Sequence, residues 1–332
     1  MHSRSFKLSI LSVAVMVLAA FAAGATFSPT TSYAATDDRR NLLGEGTDYT
    51  AILYDSTNGL PTSEANAIVQ SEDGFIWLGG YSGLIRYDGS NFDRFDSSTG
   101  ISSVFSLYVD SKGRVWIGTN ENGIAYYDHG DLKVYGKVEG MKSYSVRAIT
   151  EDSEGNILIA TTQGLDVVGN DDLEVHIVDD PQVNTEYITR LVKSDDGNVY
   201  GLTLDGAVFI ADGNKITAFY NPEEFGSTPV NTIYPDPVNP NILYMGTTES
   251  ELLKVDTSNS MKIIDHYDVS PQKNISAIYK VNDILWVSST NGIGYIDENK
   301  KYHLMDDIPL NNSVGNIMSD HEGNMWFTST RQ

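Results

Sequence analysis

The chain contains no cysteine, so disulfides and thiolate metal sites are both excluded. Basic residues are scarce: 22 Lys and Arg stand against 45 Asp and Glu, for a formal net charge of −23. So acidic a surface repels phosphate backbones, which argues against nucleic acid as a partner and fits an exposed, soluble domain. Beyond the N-terminal segment no apolar run is long enough to span a bilayer. The motifs HExxH, GxSxG, GxxxxGK and GxGxxG are all absent. Histidines are few: His2 lies in the leader, His129, His176, His266 and His303 lie in or just before outer strands of different repeats, and His321 lies in a turn. They form no metal-ligand cluster in sequence, and the Asp-rich turns lack the spacing of an EF-hand loop. Neither cofactor nor metal is expected. Propeller enzymes assemble their sites from distant loops, so motif absence alone does not decide the question, but the expectation is a chain without its own active site.

What is present begins with an export signal. MHSRSFK carries positive charge, LSILSVAVMVLAAFAAGA is almost wholly apolar, and Ser32 and Ala34 occupy the small-residue positions of a cleavage site. Residues 1–34 read as a signal peptide, with an uncleaved anchor as the alternative, and residues 35–48 as a flexible leader. The rest of the chain is expected to be extracytoplasmic, either secreted or on the outer face of the cytoplasmic membrane.

The remainder repeats itself. Trp77, Trp116, Leu158, Tyr200, Tyr244, Trp286 and Trp326 recur at steps of 39, 42, 42, 44, 42 and 40 residues. A period of about 40–45 residues suits a four-stranded propeller blade, though two-helix repeats have similar lengths. Composition separates them. Each copy opens with a short apolar strand marked by Ile68, Leu107, Ile149, Leu191, Ile233, Ile278 or Ile317. Five copies follow it with a turn written EDG, DSKG, DSEG, SDDG or DHEG, in which Asp bonds locally and Gly takes positive φ. Then come an aromatic and β-branched strand such as VWIGT, a second Gly-containing turn, a third strand such as IAYYD, and a more polar fourth such as LKVY. No helical period survives across these turns. Two places after each aromatic stands Gly79, Gly118, Ala160, Leu202, Gly246, Ser288 or Thr328, nearly all small, as convergence toward an axis would require.

The expected fold is therefore an all-β, seven-bladed β-propeller of four-stranded antiparallel blades over residues 49–332. Blades start near 65, 104, 146, 188, 230, 274 and 314. The last copy stops after its second strand, so the last blade is expected to be incomplete and the chain to be cut from a longer protein. An orphan strand, YTAILYD (Tyr49–Asp55), is expected to close that blade from the N-terminal side.

NGLPTSEANAIVQSEDGFIWLGGYSGLIRYDGSNFDRF resembles the two-component regulator propeller repeat: a GLP turn, a strand, a D-x-x-G-type turn, an aromatic-I/L-G-T strand and a G-L/I-x-x-Y-D strand. The pattern is strong around Trp77 and Trp116, fair around Leu158 and Trp286, and weak around Tyr200 and Tyr244, where Leu202 replaces the small residue and DPVNPN replaces the turn. The resemblance implies the extracytoplasmic, ligand-sensing input domain of a membrane-bound two-component-type protein. In that family a small β-sandwich, a membrane span, and a histidine kinase or diguanylate cyclase commonly follow; these sensor and output domains are not in this chain. The resemblance also implies an oligosaccharide or other small-molecule ligand. A homodimer is a further partner to consider, and a stand-alone secreted binding or lyase-type propeller is the alternative function.

Blade topology places the turns between second and third strands on one face of the disc, together with the connections between blades. The candidate ligand-binding residues on that face are Tyr81, Asn120, Glu121, Gln163, Asp205, Glu249, Asn291 and Arg331 from the turns, with Glu64, Tyr144 and Tyr187 from the connections. Polar groups and rings converging on a concave mouth are what sugar or peptide recognition needs. No residue is assigned a catalytic role.

Overall fold

The computed structural model describes residues 6–11, 31–34, 49–62, 64–95, 97–135, 139–281, 283–305 and 313–330. Apart from three single-turn 3-10 helices it is built of strands, and no described helix is long and apolar enough to cross a membrane. Each full repeat folds as one blade of four antiparallel strands. Blade 2 shows the pattern: Val104–Val109, Val115–Thr119, Ile124–Asp128 and Asp131–Tyr135 pair in chain order. Its first turn closes on the Asp110 carbonyl, which accepts the Gly113 N–H at 2.9 Å. Gly113 (φ 79°) and Gly123 (φ 78°) take the left-handed conformations that these two turns demand.

The turn aspartate does more than shape the turn. Asp110 also accepts the Trp116 indole N–H (2.7 Å), Asp320 accepts that of Trp326 (2.6 Å), and Asp236 accepts the Tyr244 hydroxyl (3.1 Å). Ser71 plays the part for Trp77 at 2.9 Å. The repeated spacing of first turn and aromatic thus writes a buried hydrogen bond into each of these sheets, and the rings pack as core between neighbouring sheets. The small residues two places on have a related cause, which differs from the expected crowding at the axis. A Cβ on Gly79 would lie 2.3 Å from Val104, one on Gly118 2.6 Å from Val146, and one on Gly246 2.5 Å from Ile275. The neighbour in each case opens the next blade, so the glycines set blade-to-blade spacing.

The all-β propeller of four-stranded antiparallel blades is as expected, but the number of blades is six rather than seven. The complete blades begin at the strands Ala67–Gln70, Val104–Val109, Val146–Glu151, Ile188–Lys193, Val230–Pro235 and Ala277–Val281. Thr31–Ala34 adds a fifth, antiparallel strand to the outer edge of blade 1. The last repeat gives only an antiparallel pair, Ser313–Ser319 with Met325–Thr330. That pair sits between blade 6 and blade 1: Ser276 donates from its Oγ to the Val314 carbonyl, and Asn316 donates from its Nδ2 to the carbonyl of Asn66. Its remaining places are taken by Phe6–Leu11 and then Tyr49–Tyr54, both parallel to Met325–Thr330. Two parallel pairings make this a mixed sheet rather than an antiparallel blade. Tyr49–Tyr54 runs in the direction that a fourth strand takes in the other blades, whereas Phe6–Leu11 runs opposite to their third strands. The leader at 35–48 lies outside the described residues.

Candidate functional site

The ring of first strands surrounds a channel. In blades 2 to 5 and in the last sheet, pairing between first and second strands slips by one residue, leaving Phe105, Arg147, Thr189, Asn231 and Gly315 as extra residues. A bulge of this kind bends the strand and re-aims a side chain. All five stand two places before the strand's marker, and Asn66 and Ser276 hold the same place in blades 1 and 6. Several of these residues stitch blades together: Asn66 donates to the Val104 carbonyl at 3.1 Å, and Asn231 to that of Ile275 at 2.8 Å.

Phe105 and Arg147 act differently. The Arg147 guanidinium lies 4.4 Å above the Phe105 ring and 5.5 Å from that of Tyr187, and its Nε donates to the Tyr187 hydroxyl at 2.7 Å. Tyr81, 54% exposed, stands edge-on to Phe105 with centroids 6.2 Å apart. Behind them Arg190 donates to the Thr189 carbonyl (3.1 Å) and, past blade 5, to the Ser276 carbonyl of blade 6 (3.3 Å). Phe105, Arg147, Tyr187 and Arg190 line a cavity of about 420 Å³ whose walls come from blades 1, 2, 3, 4 and 6 and the last sheet, and Tyr81 reaches it through Phe105. Its lining includes two arginines and no Asp or Glu. Burial pulls the Arg190 guanidinium below its ordinary pKa, since water is withdrawn from the charged form.

The opposite mouth of the channel is different in kind. A cavity of about 660 Å³ there is lined by Lys193, Asp195, Asp236, Tyr108 and Tyr234 among others. Asp236 is paired with Lys280 at 2.6 Å, and burial pushes the Tyr234 hydroxyl up to about 12.

Of the residues expected at the site, Tyr81 and Tyr187 are brought together, through Phe105 and Arg147. The other described candidates do not converge with them. The half-buried Tyr144 packs against the core shared by blades 2 and 3, and its carbonyl accepts the Gly123 N–H at 3.0 Å. The backbone of Asn120 is tied to Ser103 at 2.9 Å, and Gln163 and Asn291 donate their N–H groups to Thr161 and Ser289 within their own turns, both at 3.0 Å. Asp205 accepts from Thr203, Glu249 pairs with Lys273 at 2.5 Å, and Glu64 bonds through its backbone to Thr62. Glu121 is exposed on its turn, and Arg331 lies outside the described residues. Sequence reasoning missed Phe105, Arg147 and Arg190. The signal that could have found the first two was the position two places before each marker.

Among the described residues no group of three His, Cys, Asp or Glu side chains is placed to hold a metal ion. Four histidines pair singly with carboxylates of their own blades: His129 with Asp128, His176 with Asp172, His266 with Glu251 and His303 with Asp297, at 2.6–2.8 Å. None of them lines either mouth of the channel.

Comparison with known proteins agrees with this architecture. The model of the two component regulator propeller family matches residues 100–121, which span the first two strands of blade 2. No curated protein matches the chain. Among solved structures, the extracellular domain of a protein described as a hybrid two component system of B. thetaiotaomicron superposes with a TM-score of 0.66 at 20% identity, over 81% of this chain and 39% of that one. The chain thus spans about two fifths of that domain's length. Streptogramin B lyase superposes with a TM-score of 0.68 at 19% identity, over 81% of this chain and 92% of the lyase. A catalytically inactive virginiamycin B lyase from Staphylococcus aureus, solved with quinupristin, gives 0.65 at 18% identity, over 80% and 92%. At such identities these likenesses concern the fold.

Proposed function

Given that the chain carries a two-component regulator propeller repeat, we propose that it is the ligand-recognising input module of an extracytoplasmic, membrane-anchored signalling protein. A histidine kinase or diguanylate cyclase elsewhere in the protein supplies the output. The observation that carries this reading is the axial mouth. Rings from Tyr81, Phe105 and Tyr187 border a cavity large enough for a small saccharide and lined with hydrogen-bonding groups. Such rings cover the apolar face of a sugar while polar groups orient its hydroxyls.

A glycan array probed with this chain tests the reading, followed by Tyr81→Ala and Tyr187→Ala on any hit. Loss of at least about tenfold in affinity, some 1.4 kcal/mol, is expected from each. Undiminished binding in the double variant would place the ligand elsewhere and overturn the assignment.

The near full-length superposition on streptogramin B lyase favours a second reading, a secreted lyase-type propeller. Incubation with a streptogramin B antibiotic separates the two: linearisation of the antibiotic would replace the sensor reading, and an unchanged antibiotic with a glycan hit would retain it. The axial cavity is lined by rings and arginines and by no histidine, which favours the sensor reading.

A further inference from the structure

The chain treats its buried and half-buried arginines in two ways. Arg114 is buried against Asp110 at 2.6 Å, and Arg86 against Asp93 at 4.0 Å. The largely buried Lys280 has Asp236. In these three cases a carboxylate accompanies the cation, as the cost of desolvating an unpaired charge requires. At the axial mouth this pairing stops. Among the described residues no carboxylate forms an ion pair with Arg147 or Arg190, and none lines their cavity, in a chain where acids outnumber bases two to one. Arg147 is nevertheless held in place: the Tyr187 hydroxyl accepts a hydrogen bond from its Nε–H, and Phe105 supports the face of its guanidinium. Its Nη1 is buried with no acceptor. Arg190 is positioned by two carbonyl oxygens, which orient a guanidinium without neutralising it.

We propose that Arg147 and Arg190 form an anion subsite in the axial cavity, which takes the carboxylate or sulfate ester of an acidic saccharide. A guanidinium fork matches such oxyanions in plane, and one already oriented by a hydrogen bond and a ring loses little further freedom on binding. The rings of Tyr81, Phe105 and Tyr187 flank the subsite, so the sugar carrying the anion lies against them. This inference rests on the reading of the mouth as a saccharide site, but its chemistry can be tested separately.

The side-chain Nε–H resonances of Arg147 and Arg190, assigned from Arg147→Gln and Arg190→Gln, are followed by NMR in the unmodified chain during titration with sulfate or citrate, against sodium chloride at matched ionic strength. Saturable shifts of both resonances are expected, with the Arg190 shift much weakened in Arg147→Gln. Shifts no larger than those in chloride would overturn the subsite. A second arm compares trigalacturonate with its neutral methyl ester. The acid is expected to bind about tenfold more tightly, and Arg147→Gln to abolish that preference. Equal binding of acid and ester with unmoved arginine resonances would sink the anion subsite and keep the saccharide site. Sulfate or citrate binding without either saccharide would keep the anion subsite and sink its acidic-saccharide ligand.

Discussion

Blade 2 and the sheet that closes the ring bear the same signature and are assembled in opposite ways. Both place a turn aspartate six residues before a tryptophan and bond the two. In blade 2 the rest is local. Tyr126 tilts against Trp116 at 4.9 Å and Tyr135 stacks on it at 6.0 Å, both within the same repeat. In the closing sheet Trp326 stacks on Tyr54 at 6.2 Å and meets the edge of Tyr87 in blade 1 at 6.0 Å, partners from the far end of the chain. A repeat is enough to make a blade, but sealing a ring needs contacts across nearly the whole sequence, and those carry the entropy of a long loop closure. The two regions should therefore respond differently to equivalent changes.

The largest effect is expected from Trp116→Ala. The ring is fully buried, and its loss should cost about 3–5 kcal/mol in denaturant unfolding, as for other large core aromatics. A cost below about 1 kcal/mol would mean that the ring does not carry the packing its burial between blades 2 and 3 implies.

The turn aspartates sharpen the contrast. Asp110 accepts from the Lys112 and Arg114 backbones and the Trp116 indole, and it neutralises the Arg114 side chain. Asp110→Ala would strand a buried guanidinium and should cost about 3–5 kcal/mol. Asp320 serves neutral partners only: the backbones of Glu322 and Asn324, the Asn324 amide and the Trp326 indole. Asp320→Ala should cost less, about 1–3 kcal/mol. Equal losses in calorimetry would show that the ion pair contributes nothing beyond its hydrogen bonds.

The same contrast explains what could be read from the sequence. Markers, Asp-Gly turns and second-strand aromatics are enforced inside each repeat, by turns needing positive φ and by rings needing a donor's partner six residues back, so they recur in the text. The glycines at 79, 118 and 246 were legible as small, but their cause lay in Val104, Val146 and Ile275 of the following blades. In the closing sheet Tyr49–Tyr54 could be read as an orphan strand, whereas Phe6–Leu11, which lies between it and Met325–Thr330, could not, because that segment shares no repeat. At the site, Tyr81 and Tyr187 were found from topology. Arg147 was not, because a one-residue bulge decides which way a first-strand side chain points. Tyr144 looked like a free loop ring and is in fact anchored in the core.

Blade 3 tests how far the local rule tolerates a breach. Asp166 is paired with Ile159 at the position where blade 2 pairs Ala125 with Ile117, and it is fully buried. Its Oδ2 accepts the Lys142 N–H at 3.2 Å, and its Oδ1 has no partner. Burial outweighs this hydrogen bond and the Lys142 charge, raising the carboxyl pKa from 3.8 to about 6. The folded state thus holds the proton more tightly than the unfolded state does. The protonated site is least costly below about pH 3.8, and stability falls as pH rises to about 6, by a total of about 3 kcal/mol at 1.4 kcal/mol per pH unit. Asp166→Asn should therefore raise the unfolding midpoint at pH 7 and leave it nearly unchanged at pH 4. A gain of equal size at both values would assign the effect to packing rather than to charge.

The smallest expected effect isolates the closure itself. Tyr54 belongs to the strand at the outer edge of the closing sheet, yet its ring contacts Tyr87 and Phe92 of blade 1 as well as Trp326. Its hydroxyl also lies 3.1 Å from that of Tyr87. If this cluster is what seals the ring, Tyr54→Ala and Trp326→Ala should not be additive. A double-mutant cycle should give a coupling of about 0.5–1.5 kcal/mol, the range for stacked aromatic pairs. Paired with Trp116→Ala instead, Tyr54→Ala should add within about 0.5 kcal/mol, because Trp116 lies in a separate core cluster. Coupling of Tyr54 to Trp116 as strong as to Trp326 would mean that the division between local blades and distant closure has no energetic counterpart.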